Sequence, residues 1–335
     1  MEVIAYNRAN EVLIRDFERT KSIYNSYIEK NKSTSQLRIR EIANNLKVSE
    51  GELISLNIDN NVSCLNISSL YDFFLKISSN EHVMFLSRNE NVVHEITLCL
   101  NDLVVHNDEY LRLFLNNNPL IIFNSSAAIC SFAEIKEYNN RILKSIQIFD
   151  LSGNSLLKIY FKDNNSSLFN DIIDCYKKEY NYEFQKHKLF SQSKIDSIDQ
   201  MFFKDVMTTE YLKCINYKRK YINDTDLIES ILFKSSKNKY ELGIYAISPS
   251  SIQFYKGKIN KVVDYKGWLN ILDQSFNLHL IKENLREYAC IYYSEFNCKI
   301  HIHFYSDNDY CQLGVFSTSE TDNSFYDYIM DLIRT

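Results

Sequence analysis

Among the residues with chemical capability, the imidazoles are the most regularly placed. His301 and His303 alternate with Ile300 and Ile302, so a strand through them carries both rings on one face and the isoleucines on the other. No carboxylate stands at metal spacing beside them, and the pair reads as surface or pocket lining, not as a metal pair. In FNLHL, Asn277 and His279 stand opposite Phe276, Leu278 and Leu280, an amide and an imidazole on a face that could wall a cofactor. Arg112, set among Leu111, Leu113 and Phe114, needs an anionic or polar partner, and Asp108 or Glu109 would serve. The eight cysteines are scattered, without a CxxC or a Cys/His cluster at zinc spacing, and read as reduced core thiols of a cytoplasmic protein.

A chain of 335 residues, 45% hydrophobic and 14% aromatic, can bury a large core. Its 38 Lys+Arg against 43 Asp+Glu give a net charge of -5, which excludes a whole-surface binder of nucleic acid or anionic membrane and makes any anion site local. The N-terminus is charged throughout and no run of eighteen apolar residues occurs, so no membrane insertion is expected. With only two prolines and six glycines, asparagine and aspartate are expected to make most of the turns.

The elements that must position these residues follow from periodicity. Residues 8–30 read as helix, and QLRIREIANNLKVSEGELISL reads as two helices with Ser49 capping the second. That pair has the spacing of a helix-turn-helix, but its second helix is acidic where a DNA reader needs Arg, Lys, Asn or Gln, so DNA binding is not expected. From about Ser69 a helix leads into strand-like runs and the hairpin SIQIFDLSGNSLLKIYF, then a helix from about Ser167 to Lys178. After a polar helical connector the second half repeats the plan. IFDLSGNSLLKIYF and HFYSDNDYCQLGVF match without a gap, aligning Ile148 with His303 and Gly153 with Asn308, and YLRLFL is matched with FNLHLI. The expected fold is α+β, a tandem duplication of an antiparallel-sheet unit with helices packed on one face of each sheet. The division is 1–178 for the N-terminal helices and first repeat, 179–221 for the connector, and 222–335 for the second repeat.

The fragments RIREIANNLKVSEGEL, FLSRNENVVHEI, YLRLFL, SIQIFDLSGNSLLKIYF, DVMTTEYLK, SIQFYKGKI and GWLNILDQSFNLHL, in that order, resemble the HemS/HmuS/PhuS family of cytoplasmic heme-handling proteins, also called hemin-degrading factors. The resemblance implies a duplicated, split-barrel-like fold holding one heme between the second repeat and the inter-repeat helix, with a contribution from the first repeat. It also implies the site residues. The family's proximal histidine falls on Met207 in Lys204-Asp205-Val206-Met207, and a thioether is a softer, weaker donor to ferric iron than imidazole. Arg112 matches the distal arginine. Arg219 and Lys220 stand near a basic position that meets the heme propionates. Two further basic positions are replaced, one by Tyr292 and Tyr293, the other by Ser317 to Ser319. Tyr293 as phenolate, or His187 twenty residues before Met207, offers another iron ligand.

Two function classes follow. One is a cytoplasmic heme-binding protein that traffics heme between a donor and an acceptor protein, with ring degradation an activity the resemblance alone implies. The other is a non-enzymatic regulatory or interaction module that keeps the duplicated fold without heme.

Overall fold

The computed structural model describes residues 20–27, 29, 39–58, 60–107, 110–123, 129–138, 140–150, 153–179, 218–222, 226–248, 251–285, 288–294, 299–305, 311–318 and 323–334. Residues 20–27 are helical. The first repeat runs α1 Ile39–Leu46, α2 Glu50–Ser55, β1 Val62–Leu65, α3 Leu70–Lys76, β2 His82–Arg88, β3 Val92–Cys99, β4 Leu103–Asn107, β5 Leu111–Leu115, β6 Asn118–Phe123, β7 Ile129–Tyr138, β8 Arg141–Asp150, β9 Ser155–Phe161 and α4 Ser167–Tyr176. The second runs β10 Lys218–Ile222, α5 Leu227–Asn238, β11 Glu241–Ser248, β12 Ser251–Lys258, β13 Val262–Tyr265, β14 Trp268–Leu272, β15 Phe276–Ile281, β16 Tyr288–Ser294, β17 Lys299–Tyr305, β18 Cys311–Ser317 and α6 Ser324–Arg334. From β1 and β10 onward, the strands of the two lists correspond one to one.

These strands form two open nine-stranded antiparallel sheets. Sheet A has the order β1-β7-β8-β9-β2-β3-β15-β14-β13, and sheet B the order β10-β16-β17-β18-β11-β12-β6-β5-β4. Each repeat therefore builds six strands of its own sheet and lends its three-stranded meander to the other. The joints are equivalent: His279 of β15 pairs with Val93 of β3, and Ile122 of β6 pairs with Ile252 of β12. The repeat boundary in the sequence is thus not a boundary in space.

The inner faces of both sheets and the helices α3 to α6 share one large apolar core, including Phe73, Phe85, Phe169, Ile231, Ile244, Phe276, Ile302 and Ile329. Buried side-chain amides stitch the sheets together. Asn89 Nδ2 donates to the carbonyls of Ile247 and Gln312, both at 2.8 Å, and Gln253 Nε2 donates to those of Phe85 at 3.2 Å and His94 at 3.3 Å. Such bonds matter because a buried amide without partners is costly.

The sequence reading needs four corrections. Helices on one face describes α3 to α6, but α1 and α2 lie on the outer face of sheet A. The two long hairpins do correspond, each with a bulge, between Ile148 and Phe149 in one and Phe304 and Tyr305 in the other. That shared bulge sets Ile148 against Phe304, one residue away from the ungapped match with His303. Ile148 and Phe304 both enter the core, and a one-residue slip would send one of them to the opposite face. Likewise YLRLFL is β5, the middle strand of its meander, and its counterpart is β14, not FNLHLI in β15. Asparagines take left-handed turn positions at Asn116, Asn117 and Asn140, but lysines do so equally, at Lys47, Lys239 and Lys266.

Candidate functional site

Strand exchange places Arg112 on the second repeat's sheet. It pairs with Ile122, which pairs with Ile252, so arginine and isoleucines share the outer face of sheet B. Next to them Ile122, Tyr245, Ile252 and Phe254 form a buried apolar cluster against which Tyr110, Ile247 and Phe316 pack. Two glycines shape this floor. Gly314 stands directly opposite Tyr245, whose ring would lie 1.8 Å from a Cβ added there, and Gly243 stands opposite Phe316, whose ring would lie 2.0 Å from one. Each aromatic ring therefore lies down on a glycine backbone, the packing by which an aromatic compensates a glycine in a sheet.

Beyond the aromatics come the two imidazoles. His301 stacks on Phe316, with centroids 5.6 Å apart and planes at 10°, and His303 meets Tyr245 edge-on at 6.0 Å. His303 Nδ1 lies 3.3 Å from the Tyr305 hydroxyl. Both histidines are buried, at 1% and 0% exposure, so they line the interior of this face and not the protein surface. The row continues through the sheet: Phe316 pairs with His301, His301 with Tyr292, and Tyr292 with Arg219.

The equivalent face of sheet A is filled differently. By the same registers Lys158 occupies the place of Gly314, Leu86 that of Tyr245, Gln147 that of His303 and Ser145 that of His301. Lys158 forms a buried ion pair with Glu50 of α2, and Arg40 of α1 adds a contact to Glu50 at 4.0 Å. Burial alone would raise the Glu50 pKa, but the charges of Lys158, Arg88 and Arg40 hold it down at about 2. Ser49 and Glu52 form a capping box on α2, and Gly51 N donates to the Gly153 carbonyl at 3.0 Å, locking the helix onto the β8–β9 turn. Glu50, Gly51, Leu53, Ile54 and Ser55 are all buried, so the second helix of the helix-turn-helix-like pair is not available to a DNA groove.

Of the residues singled out from sequence, Arg112 lies on the sheet B face and Arg219 stands in the His301 row. Lys220 pairs with Ile291 and Tyr293 with Ile300, both partners being core residues, so these two positions belong to the rows that face the core. Lys220 itself is exposed, at the strand edge of the sheet. Met207 and His187 lie outside the described residues. Asn277 and His279 fall on sheet A, where His279 Nδ1 lies 2.7 Å from Asn270 Oδ1, away from Arg112. By register Asn270 is the counterpart of Arg112. Sequence reasoning missed Tyr245, Gly243 and Gly314. The signal was there in part, since three of only six glycines, Gly243, Gly257 and Gly314, fall inside strand-like runs, where glycine marks a close approach of side chain to backbone. Among the described residues no group of His, Cys, Asp and Glu is arranged to hold a metal ion, and no helix is long and apolar enough to cross a membrane.

The chain is thus a duplicated, strand-exchanged α+β fold whose second sheet carries an aromatic cluster between an arginine and a pair of imidazoles. Residues 47–176 match the family described as the haemin-degrading HemS.ChuX domain. The hemin transport protein HmuS of Yersinia pestis is 21% identical over 290 residues, covering 79% of this chain and 83% of that protein, and the hemin transport protein HemS of Yersinia enterocolitica is 22% identical over 297 residues. Among solved structures, the heme degrading enzyme ChuS of Escherichia coli O157:H7 superposes with a TM-score of 0.76 at 17% identity, covering 93% of this chain and 99% of that one. The heme-binding protein PhuS of Pseudomonas aeruginosa, in its holo form, gives 0.72 at 16% identity, covering 91% and 94%. The chain thus carries a segment that matches this domain within its first repeat, is similar to these hemin transport proteins over about four fifths of its length, and shares the fold of ChuS and PhuS.

Proposed function

We propose that this protein binds heme on the outer face of sheet B and passes it between a donor and an acceptor protein in the cytoplasm. The observation that carries the reading is the strand exchange, which sets Arg112 of the first repeat on the second repeat's sheet beside an aromatic floor. The residues fit such a ligand. Ile122, Ile252, Phe254, Tyr245 and Phe316 form an apolar, aromatic layer on which a macrocycle would pack, and Arg112 on the same face would add a fixed cation. Heme itself supplies the Lewis-acid and redox centre. Met207 would supply the iron with a thioether, which favours ferrous over ferric iron, so a ferric complex would be weaker than an imidazole-bound one.

The test is a hemin titration of the purified protein followed by its Soret band. Stoichiometric binding is expected, with faster heme loss from Arg112→Ala and a histidine-type spectrum from Met207→His. If wild type takes up hemin no better than an unrelated protein, the heme reading fails and the non-enzymatic interaction module stands. Exposing the complex to a reductant and oxygen, and looking for loss of the Soret band with release of iron, separates ring degradation from transport alone.

A further inference from the structure

Resting on that reading, we infer that His301, with His303 in the neighbouring row, reads the carboxylates of the ligand at the end of sheet B remote from Arg112. The positions at which the sequence lacks the family's basic residues converge there. Arg219, Tyr292, His301 and Phe316 are consecutive partners across β10, β16, β17 and β18, and Ser317 follows Phe316 directly. A row that begins at an arginine position thus holds a buried imidazole two strands further on.

Geometry decides between carboxylate and iron as the target. His301 on β17 lies five strands from Arg112 on β5 in the sheet order. Five steps of about 4.8 Å make roughly 24 Å along the sheet, beyond the combined reach of an arginine and an imidazole. The two side chains cannot meet at one atom, so on a shared ligand they would attend different parts of it, Arg112 one end and His301 the other.

The equivalent row of sheet A supplies the contrast. There Glu134 stands where Tyr292 stands in sheet B, and Gln147 Nε2 donates to its carboxylate at 2.6 Å. A carboxylate ligand meets like charge on sheet A and an imidazole donor on sheet B. The stack of His301 on Phe316, itself seated on Gly243, fixes the plane of the imidazole before any ligand arrives. Such a preset donor loses little rotamer freedom on binding.

The experiment compares hemin with hemin dimethyl ester, whose arms carry no charge, in the full chain. His301→Ser and His303→Gln install the residues that the first repeat accommodates at the same places. Wild type is expected to prefer hemin to its ester, and His301→Ser to lose about tenfold in hemin affinity with the ester unaffected. His301→Lys, which restores a cation, is expected to keep the preference. An equal loss for both ligands, or no loss for either, in both His301→Ser and His303→Gln overturns the assignment. Failure of wild type to bind hemin or its ester sinks the heme reading beneath it instead.

Discussion

On sheet A the place of Gly314 is taken by Lys158, and on sheet B the place of Lys158 is left to a glycine covered by a tyrosine ring. The difference decides what covers each face: on sheet A a helix held by an ion pair, on sheet B aromatic rings and imidazoles. Lys158 reaches into the space above its sheet and draws Glu50 of α2 down onto it, so that two helices seal the face. Gly314 has no side chain to offer a helix, and its face is paved with Tyr245, Phe316 and imidazoles. A pair of repeats can thus divide labour by one cross-strand position: a buried ion pair makes one face structural, while glycine and aromatics make the other a floor.

The comparison breaks most sharply at the ion pair. Lys158→Met leaves Glu50 buried without its closest cation and should destabilise the protein by about 3–5 kcal/mol in urea unfolding, whereas the double variant with Glu50→Met should recover most of the loss. Hemin binding per folded molecule should not change in either, because the face they seal is not the proposed ligand face. Next in size is Gly314→Ala. Its Cβ would meet the Tyr245 ring at 1.8 Å, so the ring must move, costing about 1–3 kcal/mol and weakening hemin binding with it.

A third test concerns the core between the sheets. His94, fully buried and in contact with Phe276 at 5.0 Å, has its pKa lowered by burial to about 3. Its counterpart by register is Gln253. The folded state refuses a proton that the unfolded chain accepts below about 6.5, so stability falls as pH drops from there toward 3, by about 1.4 kcal/mol per pH unit. Glu50 has the same sign in a lower window. Its depressed pKa contributes stability that is complete above the ordinary carboxylate range and is lost as pH falls toward 2. His94→Gln should flatten the slope between pH 6.5 and 3 in a series of urea titrations and leave the steeper loss below it. The smallest expected effect is Arg112→Ala, about a tenfold faster loss of hemin at constant unfolding midpoint.

How far the sequence carried these conclusions depended on the range of the interaction. The duplication, the strands and the capped α2 were legible because alternation and capping are local patterns: Ile300, Ile302 and Phe304 announce the core face of β17 within five residues. Arg112 was legible as an arginine that needed a partner. The exchange of meanders was not, since the pairing of His279 with Val93 links segments far apart in the chain and no local period records it. The hairpin offset was missed for a related reason: the sequence shows equal lengths, while the bulge that sets the register is a property of two paired strands. Lys158 could not be singled out locally either, because its partner Glu50 arrives from a helix more than a hundred residues earlier.

The exchanged meander also sets a timetable. When β6 has been synthesised, the sheet it will join does not yet exist, and sheet A for its part waits for β13 to β15 to complete its far edge. Those strands emerge roughly 160 residues after β6, which at about 5–20 residues per second is a delay on the order of ten to thirty seconds. Through that interval β3 presents an open edge, and Val92, Val93 and Ile96, buried in the finished protein, lack the strand that covers them. The nascent first repeat is therefore an unfinished object whose last edge is supplied by its own second copy.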